Sequence, residues 1–313
     1  MARIVFMGTP EFAVATLRAL AEAHTVLGVV TQPDRPSGRG RPLEAPPVKQ
    51  FAVQAGLPII QPQRLREPEA LAQLQAWAPE LIVVAAFGQI LRPAVLDLPP
   101  HGCLNIHGSL LPRHRGAAPI AAAILAGDSQ TGITIMRMDP GLDTGPMLAS
   151  RGLDILPDDT TGTLTERLAP LGAGLLLDVI PDYLAGRLQP MAQDESFATY
   201  APQLKKEDGR LDFTRPVIEL ERRVRALLPW PGAFVVWPDL AGGAPRPLRV
   251  LRAAVLDQRA AAAGEVVATP QGPAVGADSG ALLLLEVQPP GKRPMSGADF
   301  ARGARGFIGS HLA

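Results

Sequence analysis

Residues 81–87, Leu81-Ile82-Val83-Val84-Ala85-Ala86-Phe87, form a run without one polar side chain. So short a run fits a strand better than a helix, and a strand with no polar face belongs in a parallel sheet covered on both sides. The residues around it repeat the theme. Upstream, Arg3-Ile4-Val5-Phe6-Met7 is a second apolar run, followed by Gly8-Thr9-Pro10 and by helical spacing over 11–23. Residues 25–31 predict another strand, and 32–47, rich in Pro, Gly and Arg, a long loop. Helices are expected over 48–55 and 69–77, with a short apolar run at 57–60 between them. Downstream, 103–107 and 133–138 predict strands and 119–126 a helix. Strands alternating with helices predict an open, mostly parallel α/β sheet. Ligands of such sheets sit beyond the carboxyl ends of the strands, which here means residues 105–112 and the loops beside them.

The tail follows a different pattern. Residues 217–228 predict a helix carrying Arg222, Arg223 and Arg225. After Pro229-Trp230-Pro231-Gly232 come short candidate strands at 233–237, 248–255, 264–268, 273–275 and 281–287. Their spacing and Gly/Pro punctuation predict a small β-barrel or sandwich. A boundary in the polar stretch 200–208 divides the chain into domains 1–204 and 205–313.

With 313 residues, 47% hydrophobic and 19% charged, the chain can bury a sizeable core, which argues against wholesale disorder. Thirty basic residues balance thirty acidic ones, so it is not coated in positive charge. The balance hides a split: 1–204 holds 15 Lys+Arg against 19 Asp+Glu, and 205–313 holds 15 against 11. That C-terminal excess is compatible with an anionic partner and equally with a solvated surface. No apolar run approaches the ~20 residues of a membrane helix. Residues 3–7 lack the lead and cleavage site of a secretory signal, so a cytoplasmic protein without membrane partners is expected. Cys103, the only cysteine, can form neither an internal disulfide nor a Cys-based zinc site and reads as an inert core thiol.

Several chemistries fail on their motifs. A dinucleotide site needs three glycines after the first strand, and only Gly8 is present; Gly8 there serves a tight turn, with Pro10 at the helix start. Ser37-Gly38-Arg39-Gly40 lacks the Gly-Lys-Ser/Thr ending of a phosphate loop. The five histidines show no metal-ligand spacing, and no metal is expected. Ser109 lacks the second glycine of a nucleophile elbow. What remains is Asn105 and His107, two apart at a strand end and therefore on one face, and Asp143 in the bracket Gly141-Leu142-Asp143-Thr144-Gly145. Residue type alone leaves two readings, a catalytic set or a satisfied core histidine.

A longer comparison of motifs separates them. The stretch Asn105-Ile106-His107-Gly108-Ser109-Leu110-Leu111-Pro112-Arg113-His114-Arg115-Gly116-Ala117-Ala118-Pro119-Ile120 resembles the signature of the 10-formyltetrahydrofolate-dependent formyltransferases. Thr131-Gly132-Ile133-Thr134-Ile135-Met136, the Asp143 bracket, Thr31-Gln32-Pro33-Asp34-Arg35-Pro36 and the Gly38 segment continue the likeness. Lys206-Glu207-Asp208-Gly209-Arg210-Leu211-Asp212, Pro229-Trp230-Pro231-Gly232 and Gln288-Pro289-Pro290-Gly291-Lys292 look like the second domain of members acting on methionyl-tRNA. The likeness covers nearly the whole chain in order. His114 and Phe87 depart from it, standing where an aromatic residue, often Trp, and a Tyr are common.

The resemblance implies a Rossmann-like N-terminal domain that binds folate and a smaller C-terminal β-barrel, OB-like, that binds tRNA. It implies formyl transfer from 10-formyltetrahydrofolate, a co-substrate, to the α-amine of initiator methionyl-tRNA, by a monomer without a metal. An α-amine titrates near ~7.7–8.0 and the ester lowers this, so no strong base is needed to make it nucleophilic. Attack on the formyl carbon gives a tetrahedral oxyanion, for which an aimed donor contributes on the order of 3–4 kcal/mol. Asn105 and His107 are the implied donors, His107 also carrying the proton towards N10, with Asp143 orienting the imidazole and favouring its protonated form. Ser109, Leu110, Leu111 and Pro112 are implied in folate binding, and Arg39, Arg41 and Lys206 in tRNA binding. The same core occurs in glycinamide ribonucleotide and amino-sugar nucleotide formyltransferases and in formyltetrahydrofolate dehydrogenase. Arg115-Gly116-Ala117-Ala118-Pro119-Ile120 and the arginine-bearing loop favour tRNA. A catalytically silent RNA-binding protein is expected to have lost the Asn-His-Asp set.

Overall fold

The computed structural model describes residues 1–36, 43–238, 246–257 and 261–312. Two compact units emerge, one made of Met1–Pro119, Gln130–Asp154 and Thr165–Pro202, the other of Ile120–Ser129, Ile155–Leu164 and Gln203–Ala313.

The first unit is built on seven strands: β1 (Arg3–Gly8), β2 (Thr25–Val30), β3 (Ile59–Ile60), β4 (Leu81–Ala85), β5 (Cys103–His107), β6 (Gln130–Arg137) and β7 (Met147–Asp154). Their order across the sheet is β7-β6-β5-β4-β1-β2-β3. From β3 to β5 every pairing is parallel; β5–β6 and β6–β7 are antiparallel. The expected α/β class and mostly parallel sheet are thus present. β4 is buried along its whole length, as its apolar sequence requires, and β5 is buried throughout although it carries Asn105 and His107. The intervening helices are α1 (Glu11–Ala23), α2 (Pro47–Gln54), α3 (Pro68–Trp77) and the short α4 (Pro93–Leu96). At the end of β1, a Cβ added to Gly8 would stand 2.7–2.9 Å from Phe6, Ala13 and the Ala85 carbonyl oxygen. Close packing of helix on strand therefore excludes any side chain there.

α5 (Pro119–Ala126) follows the expected bounds, but α6 (Thr161–Leu184) and the edge strand β7 were not anticipated. α6 carries Pro170 and Pro181, each lacking the N–H of a helix interior, and β7 is mostly exposed, so neither shows a clean apolar period. In the long loop before α2, Arg35–Pro36 pairs antiparallel with Leu43–Glu44.

The second unit is antiparallel and β-rich, as expected. β8 (Ala233–Trp237), β9 (Arg246–Leu256), β10 (Val266–Thr269), β11 (Gly272–Ala277) and β12 (Gly280–Gln288) lie in the order β8-β9-β12-β11-β10, and β13 (Met295–Ser296) pairs with β12. α7 (Val217–Ala226) buries Val217, Leu220 and Val224, at helical spacing, in a core with Val250, Leu282 and Leu284. Trp237, Phe300 and Phe307 meet edge to face with centroids 4.9–5.7 Å apart.

Gly8→Ala should overpack the β1–α1 turn and lower the unfolding free energy by roughly 1–3 kcal/mol. Urea melts should show a lower midpoint with an unchanged slope; an unmoved midpoint would mean that the turn has room to relax.

Candidate active site

β5 ends with Asn105 and His107 on one face, both buried. Ile106, between them, turns the other way; a Cβ on Gly172 of α6 would lie 2.9 Å from its Cγ2, so the helix backbone rests directly on this strand. Past β5 the chain folds back over the strand end. His114 at φ 58° and Gly116 at φ 118° make the reversal, which aims the His114 carbonyl and the Gly116 N–H back towards His107 and Asp143. Asp143 arrives from the loop between β6 and β7, itself at φ 52°. Asp139 holds that loop by accepting from the Thr144 hydroxyl at 2.8 Å and the Gly141 N–H at 3.1 Å.

The three predicted catalytic residues converge. Asn105 Nδ2 donates to Asp143 Oδ1 at 3.3 Å, and the Gly116 N–H donates to Asp143 Oδ2 at 2.8 Å. His107 Nε2 lies 2.9 Å from the His114 carbonyl oxygen and Nδ1 lies 3.6 Å from Asp143 Oδ2. A carbonyl oxygen can only accept, so Nε2 carries a hydrogen. The neutral ring then presents the lone pair of Nδ1 to the carboxylate. A proton added at Nδ1 turns that repulsion into an ion pair.

Burial dominates the ring's titration and pulls it below the ordinary histidine range, while Asp143 and the His114 carbonyl push it up and the His114 ring pulls it down. Sequence reasoning expected the carboxylate to favour imidazolium. The carboxylate does act in that direction, but desolvation outweighs it, and the resting ring at neutral pH is the uncharged form. Such a ring can accept a proton at Nδ1, and the carboxylate stabilises the cation once formed.

The other predicted residues separate. Ser109 is fully buried, and its hydroxyl donates to the Arg113 carbonyl at 2.6 Å, while its own carbonyl accepts from the Thr134 hydroxyl at 2.8 Å. The Leu111 N–H donates to the same hydroxyl at 3.1 Å, so the turn through Leu110, Leu111 and Pro112 is braced on β6. Lys206 is exposed in a short turn, Lys206–Gly209, of the second unit. Arg39 and Arg41 lie outside the described residues. Cys103 is buried, which pushes its thiol up to about 12 and makes it the inert group expected.

Sequence reasoning missed a second layer. Arg115, taken there as part of a tRNA-favouring motif, is buried and pairs through its guanidinium with Glu195 and Gln193. Gln193 reaches the Asp143 loop, and the Thr199 hydroxyl accepts the His114 N–H at 2.8 Å. Residues 193–199 carry no periodicity, and only the polarity of Gln193-Asp194-Glu195 hints at buried partners.

Comparison with known proteins matches residues 2–180 to the formyl transferase family model and 203–305 to that of its C-terminal domain. The methionyl-tRNA formyltransferase of Myxococcus xanthus (strain DK1622) is 49% identical over 308 residues, covering 98% of this chain and 97% of that protein. That of Methylococcus capsulatus (strain Bath) is 52% identical over 312 residues, covering 99% of each. Among solved structures, WlaRD, a sugar 3N-formyl transferase in the presence of dTDP and 5-N-formyl-THF, superposes with a TM-score of 0.65 at 16% identity, over 94% of this chain and 99% of that one. HypX from Aquifex aeolicus, in complex with tetrahydrofolic acid, gives 0.60 at 18% identity over 96% of this chain and 46% of that one. These two likenesses concern the fold.

A ¹⁵N-resolved titration of His107 should give a midpoint below the usual ~6.5. In Asp143→Asn it should fall further, because the strongest influence raising it is removed. A midpoint at or above the usual value in the unaltered protein, or an upward move in the variant, would contradict the balance described.

Proposed function

The chain belongs to the formyl transferase family, and from that premise we propose that it transfers the formyl group of 10-formyltetrahydrofolate to the free α-amine of initiator methionyl-tRNA, giving N-formylmethionyl-tRNA for translation initiation. The observation that carries this reading is near-full-length identity of about one half to relatives named for that reaction. The convergence of Asn105, His107 and Asp143 supports it independently.

In the proposed mechanism the amine attacks the formyl carbon, a new C–N bond forms, and the former carbonyl oxygen becomes an oxyanion. His107, neutral at rest, takes the amine proton at Nδ1. Asp143 stabilises the imidazolium, whose N–H, with Asn105 Nδ2, opposes the oxyanion. His107 returns the proton to N10 as the N10–C bond breaks and tetrahydrofolate leaves. No formyl-enzyme intermediate is required. A buried site with the His107 Nε2–H held by a backbone carbonyl suits this task, because the ring keeps one nitrogen for proton exchange and its orientation is fixed.

Residues 1–204 are assigned to formyl transfer and folate binding, with Ser109, Leu110, Leu111 and Pro112 contributing to the folate site. The occupied Ser109 hydroxyl favours a contribution through backbone and leucine side chains. Residues 205–313 are assigned to tRNA, with Lys206 near its 3′ end and Arg39 and Arg41 of the first domain at the acceptor stem. Arginine and lysine at phosphates position RNA without reading bases. The proposal is of a monomer working in the cytoplasm. No helix among the described residues is long and apolar enough to cross a membrane.

Purified protein with 10-formyltetrahydrofolate should formylate methionyl-tRNA and leave an amino-sugar nucleotide untouched; the reverse preference would overturn the substrate assignment. His107→Ala and Asn105→Ala should each lower turnover by roughly 10²–10³ with little change in folate affinity, because each removes a donor needed chiefly in the transition state. Near-normal turnover in either variant removes that residue from the set. Arg39→Ala should weaken tRNA binding, leave folate binding alone and reduce the magnitude of the salt slope by about 1. An unchanged slope would place Arg39 away from phosphate.

A further inference from the structure

The two family-model matches leave residues 181–202 between them, yet these residues belong to the same compact unit as the Asn-His-Asp set. Part of that stretch lies directly behind the set. Gln193 Nε2 donates to the Asp143 carbonyl oxygen at 2.8 Å and to the Gly145 carbonyl oxygen at 2.7 Å. Gln193 Oε1 accepts from Arg115 Nε at 3.0 Å and from a terminal guanidinium nitrogen at 2.8 Å. All four hydrogen-bonding positions of the amide are therefore used, two on the loop that presents Asp143 and two on a buried arginine.

Arg115 is held in turn. Its two terminal nitrogens donate to the two oxygens of Glu195, each at 2.8 Å, in the forked geometry that fixes a guanidinium plane. Its backbone N–H donates to the Thr199 carbonyl oxygen at 2.9 Å, and Arg115–Gly116 pairs with Tyr200–Ala201 as a short parallel ladder. One segment, 193–201, thus grips both loops that meet at His107. It holds the loop ending in the His114 carbonyl and the Gly116 N–H, and the loop that supplies Asp143.

The grip has a defined physical task. Asp143 sits at φ 52°, in the left-handed region that an L-aspartate seldom adopts, and such a conformation persists only where the surroundings enforce it. Two bonds to carbonyls at and just beyond Asp143 contribute to that enforcement, beside the Asp139 bonds to Gly141 and Thr144. Without them the loop can relax towards an ordinary conformation, and the carboxylate then leaves its place 3.6 Å from Nδ1 of His107.

We propose that Gln193 is a positioning residue for formyl transfer, acting through the backbone of Asp143, with Arg115 and Glu195 fixing its amide. The inference rests on the formyltransferase reading above, in that its activity readout is formylation of methionyl-tRNA. Gln193 touches neither substrate nor His107 in this account.

The test compares unaltered protein with Gln193→Met, which keeps the length of the side chain and removes its hydrogen bonds, and with Gln193→Glu. The glutamate leaves Arg115 an acceptor, so it preserves packing while setting a carboxylate oxygen against two carbonyl oxygens. In both variants kcat should fall by about 10–100-fold, the scale of a misplaced catalytic group. KM for methionyl-tRNA and for 10-formyltetrahydrofolate should stay within about twofold. In Gln193→Met the ¹⁵N midpoint of His107 should move down, in the direction of Asp143→Asn, since Asp143 and the His114 ring are the titratable groups acting on it. In Gln193→Glu the added carboxylate acts upward, so that variant is read by kcat against KM. A residue that only stabilises the fold would lower the melting temperature and leave both kcat and this midpoint where they were, and that result overturns the proposal. If Gln193→Met fails to fold, Gln193→Glu decides by kcat against KM. Should the unaltered protein not formylate methionyl-tRNA at all, the functional reading fails instead, and the His107 midpoint still decides whether Gln193 positions Asp143.

Discussion

One carboxylate organises this site. Asp143 accepts from Asn105 on one oxygen and from the Gly116 N–H on the other, and the second oxygen also faces His107. These partners come from the end of β5 and from the reversal that follows it, while Asp143 itself comes from the loop after β6. None of them is near Asp143 in sequence. β6 runs antiparallel to β5 with Arg137 opposite Leu104, so the β6–β7 loop starts beside the first residues of β5, and Asp143 meets the strand at Asn105 and His107.

Burial gives the arrangement its chemical sense. An imidazole in water would be partly protonated near neutral pH whatever its neighbour. Here desolvation holds the ring neutral, and the carboxylate does not fully offset it. Burial and the carboxylate thus act on the ring in opposite directions, with burial the larger. Cys103, two residues before Asn105 on the same strand, shows burial reinforced by Asp97 and only partly opposed by Arg137. Its thiol is pushed up to about 12 and is chemically silent.

Legibility of the fold followed the strength of each local pattern. The continuous apolar run of β4 announced a central strand, 103–107 was read as a strand as well, and α5 and β8 appeared with the bounds their sequences suggested. β7 is an edge strand with most of its side chains exposed, so it has little pattern to read. α6 is interrupted by Pro170 and Pro181, which local rules take as breaks but packing overrides. In the site, Asn105, His107 and Asp143 were visible through motif likeness, while their residue types alone left a core histidine equally open. Arg115 was visible as a motif residue and not as a buried ion pair. Gln193 and Glu195 were hinted at only by the polarity of their segment, since a non-local hydrogen bond leaves no periodic trace in the chain.

The basic excess of residues 205–313 is likewise a matter of partners. Arg222, Arg223 and Arg225 cluster on α7 and invite a reading as a cationic face. Arg225 is instead bidentate to Glu221 one turn earlier and donates to the Asp159 carbonyl. Arg223 donates to the Asp208 carbonyl, and the guanidinium of Arg222 occupies the space beside Gly127 that a Cβ there would need. These side chains serve the packing of their own unit. Formal charge summed over a domain counts them fully, but an arginine engaged in this way loses part of its hydrogen bonding, and Arg225 part of its field, before any anion arrives. Charge counting along the sequence cannot distinguish arginines engaged in this way from those that face solvent.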